Sequence, residues 1–144
     1  MVISKRARHV PSGEALDYVL GYTCFNDIIA RDLQNRDGQW TRAKGFVTFA
    51  AFGPCIETEL DHDNVPVETW FNGELKQQGN TSDLIHSVAE IVSFVSGVMT
   101  LLPGDVIATG TPGGSGPTDI GDTVEIRIAT IGTLRNHVVG DGGA

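Results

Sequence analysis

The sequence predicts an α+β fold with a mixed or antiparallel sheet, and three observations lead there. Strand-like runs outnumber helical ones, they do not alternate regularly with helices, and one segment alone carries a long helical apolar stripe. A doubly wound parallel sheet, which needs that alternation, is disfavoured. The 144 residues are expected to form a single domain spanning 1–144, long enough to bury a core. Hydrophobic residues at 40% and charged residues at 19% are ordinary for a globular chain, not a disordered one.

Each element follows from local chemistry. Val2 and Ile3 are the stub of a strand, and "PSGEALDYV" reads as a short helix capped by Ser12, with Ala15, Leu16 and Val19 on one face. Residues 19–25 are strand-like. Residues 27–34 read as a helical turn, because Ile28, Ile29 and Leu33 recur at near-helical spacing. "FVTFAAFGPCIET" is strand-rich, with Gly53-Pro54 marking a turn or bulge. In "PVETWFNGELKQQG" two alternating runs flank Asn72-Gly73, the favoured pair for a two-residue hairpin turn.

One long helix is expected over residues 83–100. Thr81 or Ser82 caps it, Asp83 complements its dipole, and Leu84, Ile85, Val88, Ile91, Val92, Val95 and Met99 line its buried stripe. Pro103-Gly104 ends that region. "DVIAT" reads as a buried strand, the loop "GTPGGSGPTDIGD" follows, and "TVEIRIA" and "GTLRNHVV" are the closing strands. The final Gly-Gly-Ala is expected to fray.

Several function classes receive little support. The net charge of −8 disfavours nucleic acid as a partner, and no apolar run is long enough for a membrane-spanning helix. With no secretory signal pattern at the start, a cytoplasmic location is expected. Cys24 and Cys55 lie in apolar stretches without metal spacing and read as two buried free thiols. The four histidines form no ligand pair, and a Ser-centred GxSxG elbow is absent. "TGTPGGSG" lacks the GK[ST] ending of a phosphate loop, so it is read as a Gly-rich turn whose backbone approaches a ligand or as a plain surface turn.

The charge distribution is more telling. The first 44 residues carry seven Lys/Arg against five Asp/Glu, net +2, and the rest carry three against thirteen, net −10. A locally cationic region on an acidic chain suits a small anionic ligand, although a solvated basic face suits the count as well. Asp27 interrupts the apolar run of its strand, where a carboxylate is costly unless paired or bound to a cation. Arg31, four residues on, is one candidate partner; a metal ion is the other.

Taken together, "GYTCFNDIIARDLQ", "QWTRAKGFVTFAAFGPCI", "FNGELKQQGNTSDLIHSVAEIVSFVSGVMTLLPGDVIATGTPGG" and "GDTVEIRIATIGTLRN" resemble the fumarylacetoacetate hydrolase family. The resemblance runs over about residues 3–138. It implies a mixed β-sheet roll, the family's C-terminal catalytic domain, and a divalent cation, Mg²⁺ or Mn²⁺. It further implies a homodimer and a small anionic 2-oxo or 2-hydroxy-dienoic acid as substrate, as in the catabolism of aromatic compounds. The leading expectation is a hydrolase cleaving a C–C bond in an acylpyruvate-like β-dicarbonyl acid. The alternatives are a 2-hydroxy-dienoate isomerase or tautomerase, and a non-catalytic subunit retaining only the scaffold.

Carried over residue by residue, the resemblance makes Asp27 a metal ligand and Lys44 a catalytic and substrate-binding residue. Gln34, Thr111 and Thr48 become substrate contacts. Two departures stand out. The family's Glu-x-Glu metal ligands and its hydrolytic His–Glu dyad would fall before Met1, so impaired metal binding is expected of this chain. Where the family often has "KSFDTFCPLGP", this sequence has "KGFVTFAAFGP", with Val47 in place of an Asp and Ala50-Ala51 in place of Cys-Pro. Val2-Ile3 is also expected to be an open sheet edge inviting a second chain.

Overall fold

The computed structural model describes residues 1–140, so the expected fraying of the C-terminal tail falls outside the described residues. The architecture is α+β. Strands β1 (Val2–Ile3), β2 (Val19–Asp27) and β3 (Ala50–Glu57) form one antiparallel sheet in the order β1-β2-β3. Strands β4 (Pro66–Phe71), β5 (Glu74–Asn80), β6 (Thr123–Ile128) and β7 (Gly132–His137) form a second, in the order β5-β4-β6-β7. Helices α1 (Arg31–Asp37) and α2 (Thr41–Lys44) join β2 to β3, and α3 (Val88–Val98) follows β5.

The hairpin expected at Asn72-Gly73 forms there. Both residues take positive φ, 50° and 83°, as a type I′ turn requires. The break at Gly53-Pro54 is a register shift: Tyr22 stands opposite Glu57, but Cys24 stands opposite Gly53. Two apolar clusters hold the elements together. Met1, Ile3, Ala7, Val10, Ala15, Val88, Val92 and Leu101 fill the first, beneath α3. Cys24, Val65, Val124, Ile126, Ile128 and Ile131 fill the second, between the sheets. Tyr22 borders both, and burial together with nearby Asp63 pushes its phenol up to about 12. The His62 ring stacks on it, with centroids 5.3 Å apart.

Three local expectations are corrected. The long helix is shorter than 83–100: residues 81–83 make one 3-10 turn, and α3 begins only at Val88. Ser87 leaves the helical region (ψ 158°) and forms a capping box with Glu90, a stronger start signal than Thr81 or Ser82. Leu84 and Ile85 therefore leave the stripe, and Ile85 stands in the open. The segment at Ser12–Tyr18 is a 3-10 helix with Pro11 at its N-cap position, and Ser12 caps nothing; Ala15 is buried, while Leu16 is exposed. Cys24 is a buried free thiol whose pKa burial raises, but Cys55 is exposed.

The fourth correction concerns the sheet edge. "DVIAT" is not a strand of either sheet. It runs extended beside β1, where Ile3 N donates to Asp105 O (2.9 Å), Gly104 N to Ile3 O (2.9 Å) and Ile107 N to Met1 O (3.0 Å). With β2 on its other side, β1 has both edges bonded, which removes the reason for pairing with another chain there.

On the second sheet Glu125 is nearly buried between Arg127 and Arg135, both ion-paired to it. The hydrogen bonds of Arg127, then Arg135, hold its pKa below the ordinary 4.5. A carboxyl lowered in the fold contributes stability above its unfolded pKa and loses that contribution as pH falls through the folded value. Denaturant melts at pH 7 and pH 3 should show the native chain losing more stability on acidification than Glu125→Gln. Equal losses would contradict the assignment.

Candidate functional site

The C-terminal end of β2 is where two of the sequence-predicted residues, Asp27 and Lys44, meet. Asn26 is buried, and its Nδ2 donates to Asn136 Oδ1 on β7 at 3.0 Å. Strand alternation sends the next side chain, Asp27, to the opposite face, where it is 40% exposed. In register, Asp27 stands opposite Ala50 at the start of β3. Ile28 N donates to Phe49 O (3.0 Å), just before β3, and Ala30 N donates to Ala43 O (2.9 Å) on α2.

Two features set the position of α2. Helix α1 stops at Gly38, whose left-handed φ of 67° lets its N–H close on Gln34 O. Asp37 then accepts two hydrogen bonds from Arg42, at 2.7 and 2.6 Å, which hold its carboxyl below the usual range. Ala43 is fully buried and pins the helix, so Lys44 reaches back across the strand end. Its side chain is 32% exposed, and its ammonium bonds the Asp27 carboxylate. The partner of Asp27 is thus Lys44, not Arg31.

Arg31 serves Gln34 instead: its Nη1 donates to Gln34 Oε1 at 2.6 Å. With the amide oxygen engaged, the NH₂ group is the part of Gln34 left to donate. Thr48 lies exposed two residues before β3 with φ 74°, a region β-branched residues seldom adopt. Thr111 belongs to a different element. Gln77 on β5 donates from Nε2 to Thr111 Oγ1 (3.1 Å) and to Pro112 O (2.8 Å). A Cβ at Gly114 would overlap the backbone carbonyl of Lys76. Gly114 therefore lets this loop lie against β5, a protein surface rather than a ligand. Asp27 and Lys44 are joined directly, Gln34 and Thr48 sit on the flanking segments, and the hydrogen bonds of Thr111 lead to β5.

The donor set tests the expectation of Mg²⁺ or Mn²⁺. Asp27 is one carboxylate, already engaged by an ammonium, and among the described residues no three His, Cys, Asp or Glu side chains converge as a cation site. A hard cation needs several oxygen ligands, and these residues do not supply them. Calorimetric titration of this chain with Mg²⁺ or Mn²⁺ is expected to show no saturable binding in the micromolar range. Tight stoichiometric binding, abolished by Asp27→Ala, would contradict this.

One residue escaped the sequence reading. Trp40 precedes α2 by one position, and the Lys44 Nζ lies 5.9 Å from its ring centroid. The signal was present as an aromatic and a lysine four apart in "QWTRAK".

Comparisons with known proteins bear on this geometry. A family model described as fumarylacetoacetate (FAA) hydrolase C-terminal matches residues 1–139. A protein of Archaeoglobus fulgidus is 56% identical over 139 residues, covering 96% of this chain and 56% of the relative. The crystal structure of a 5-carboxymethyl-2-hydroxymuconate delta-isomerase from Mycobacterium smegmatis superimposes with a TM-score of 0.95 at 51% identity, covering 99% of this chain and 57% of that one. A maleylpyruvate hydrolase from Sphingobium sp. SYK-6, in complex with manganese(II) and pyruvate, superimposes with a TM-score of 0.85 at 36% identity, covering 96% and 51%. The chain spans little more than half the length of each.

Proposed function

The chain belongs to the fumarylacetoacetate hydrolase family, and we propose that it supplies the C-terminal half of an isomerase or tautomerase site for a 2-hydroxy-dienoic or 2-oxo acid. The observation that carries the reading is the Lys44 ammonium, held half in the open at the end of β2 by one carboxylate. Such a group can face a substrate carboxylate and the oxygen on which charge gathers as an enolate forms. Gln34 on α1, its oxygen occupied by Arg31, offers a further amide donor. Thr48 offers a hydroxyl from the segment leading into β3.

The order of the readings changes from that expected on sequence. Isomerisation now comes first, because the 51%-identical structure is named for it and the hydrolase just described is 36% identical. Hydrolytic C–C cleavage is the second reading, supported by that maleylpyruvate hydrolase. No step here is routed through a cation, since this chain's own donors do not complete a site for one. A homodimer and a cytoplasmic setting belong to the same proposal. Two free thiols suit a reducing compartment, and a monomer in sedimentation at high micromolar concentration would count against the dimer.

The test is product identity. Incubation with 5-carboxymethyl-2-hydroxymuconate in D₂O, followed by NMR, should show a shifted double bond and deuterium on carbon without chain cleavage. Two smaller acids as products would favour the hydrolase. A folded chain that leaves the substrate unchanged would overturn the enzymatic reading for this chain.

A further inference from the structure

Lys44 has two neighbours of different kinds. One is the Asp27 carboxylate; the other is the face of the Trp40 indole. Trp40 reaches this position through local geometry: Lys44 N donates to Trp40 O at 3.0 Å, one helical turn apart, which stacks the two side chains on one side of α2. The indole is not there for burial. Trp40 is 58% exposed. A large aromatic side chain left in the open beside an ammonium calls for a reason.

The two neighbours act differently on the charge. Asp27 neutralises the ammonium as it holds it. An aromatic face attracts a cation through its quadrupole and leaves the charge intact. We propose that Trp40 is a positioning residue for Lys44: its indole face gives the ammonium a second resting place, so Lys44 can turn from Asp27 to an incoming anion without returning to bulk water. The proposal rests on reading Lys44 as the ammonium that meets the substrate. It assigns Trp40 no contact with the reacting atoms.

Pyruvate serves as the anionic probe, in NMR titrations of the native chain, Trp40→Leu, Trp40→Phe and Lys44→Met. The indole ring current should shift the Lys44 ε protons upfield in the native chain, and Trp40→Leu should remove that shift. Trp40→Leu should also weaken pyruvate binding about two- to five-fold, as expected for an exposed cation–π contact. Trp40→Phe should restore most of the affinity with an unchanged melting temperature. Unchanged affinity in Trp40→Leu, or equal losses in the Leu and Phe variants, would overturn the positioning role. Undiminished pyruvate binding in Lys44→Met, or none by the native chain, would overturn the reading of Lys44 itself and the proposal with it.

Discussion

Lys44→Met should lower turnover of a 2-hydroxy-dienoic acid by about 10²–10³-fold while leaving the fold intact. The size follows from the proposed role: removing one pre-positioned group aimed at a developing oxyanion costs that much in kcat. The fold is spared because the Asp27–Lys44 pair is substantially solvent-exposed on both sides. Ion pairs of that kind contribute about 0–1 kcal/mol to stability, and Asp27 without its partner can be hydrated. Lys44→Arg should not rescue activity, because a planar guanidinium cannot reproduce a compact charge shared between a carboxylate and an indole face. Steady-state kinetics beside thermal melts separates the two effects. Turnover within tenfold of native in Lys44→Met would remove Lys44 from the chemistry.

Ile3→Ala should have the largest effect on stability. The side chain is 0% exposed and packs in the cluster beneath α3 with Val88, Val92 and Leu101. Its backbone is fixed on both sides, by β2 and by residues 104–105, so the cavity left by truncation has little freedom to collapse. Truncations of this kind cost about 2–5 kcal/mol. Against a total of about 5–15 kcal/mol for a typical domain, that is a large share. A fall in melting temperature of roughly 10 °C is expected. A loss below about 1 kcal/mol in urea melts would mean that the site relaxes freely, contrary to the bonding of β1.

Legibility varied with the range of the interaction. The Asn72-Gly73 hairpin and the two closing strands were readable because their signals lie within a few residues of the structure they make. The start of α3 was misplaced although a local signal existed. Two start signals competed, and the Ser87–Glu90 capping box prevailed over the Thr81–Asp83 turn. "DVIAT" was recognised as extended but assigned to a sheet, because sequence cannot say which edge an extended segment will meet. The break at Gly53-Pro54 was legible as a turn or bulge, but the exposure of Cys55 beside it was not, because an apolar stretch does not say which face a residue presents.

The site divides along the same line. Asp27, Lys44, Gln34, Thr48 and Thr111 were all named from sequence, through the motifs that carry the family resemblance. Their relations were not. Arg31 was offered as the partner of Asp27 because it lies four residues away, yet it bonds Gln34, three residues away.

By itself, then, the sequence determined the α+β class, most strands, the family and the identities of the candidate residues. Each of these is written in local periodicity, turn chemistry or motif. Only the tertiary structure decided that Lys44 closes on Asp27 across 17 positions, that residues 104–107 cover the edge of β1, and that Gly114 accommodates β5. These depend on strand register and on packing between distant segments, where a shift of one residue reverses the face a side chain presents. Asp27 shows the difference most plainly: its carboxylate was evident from the sequence, but its partner emerged only when β2, α2 and β3 came together.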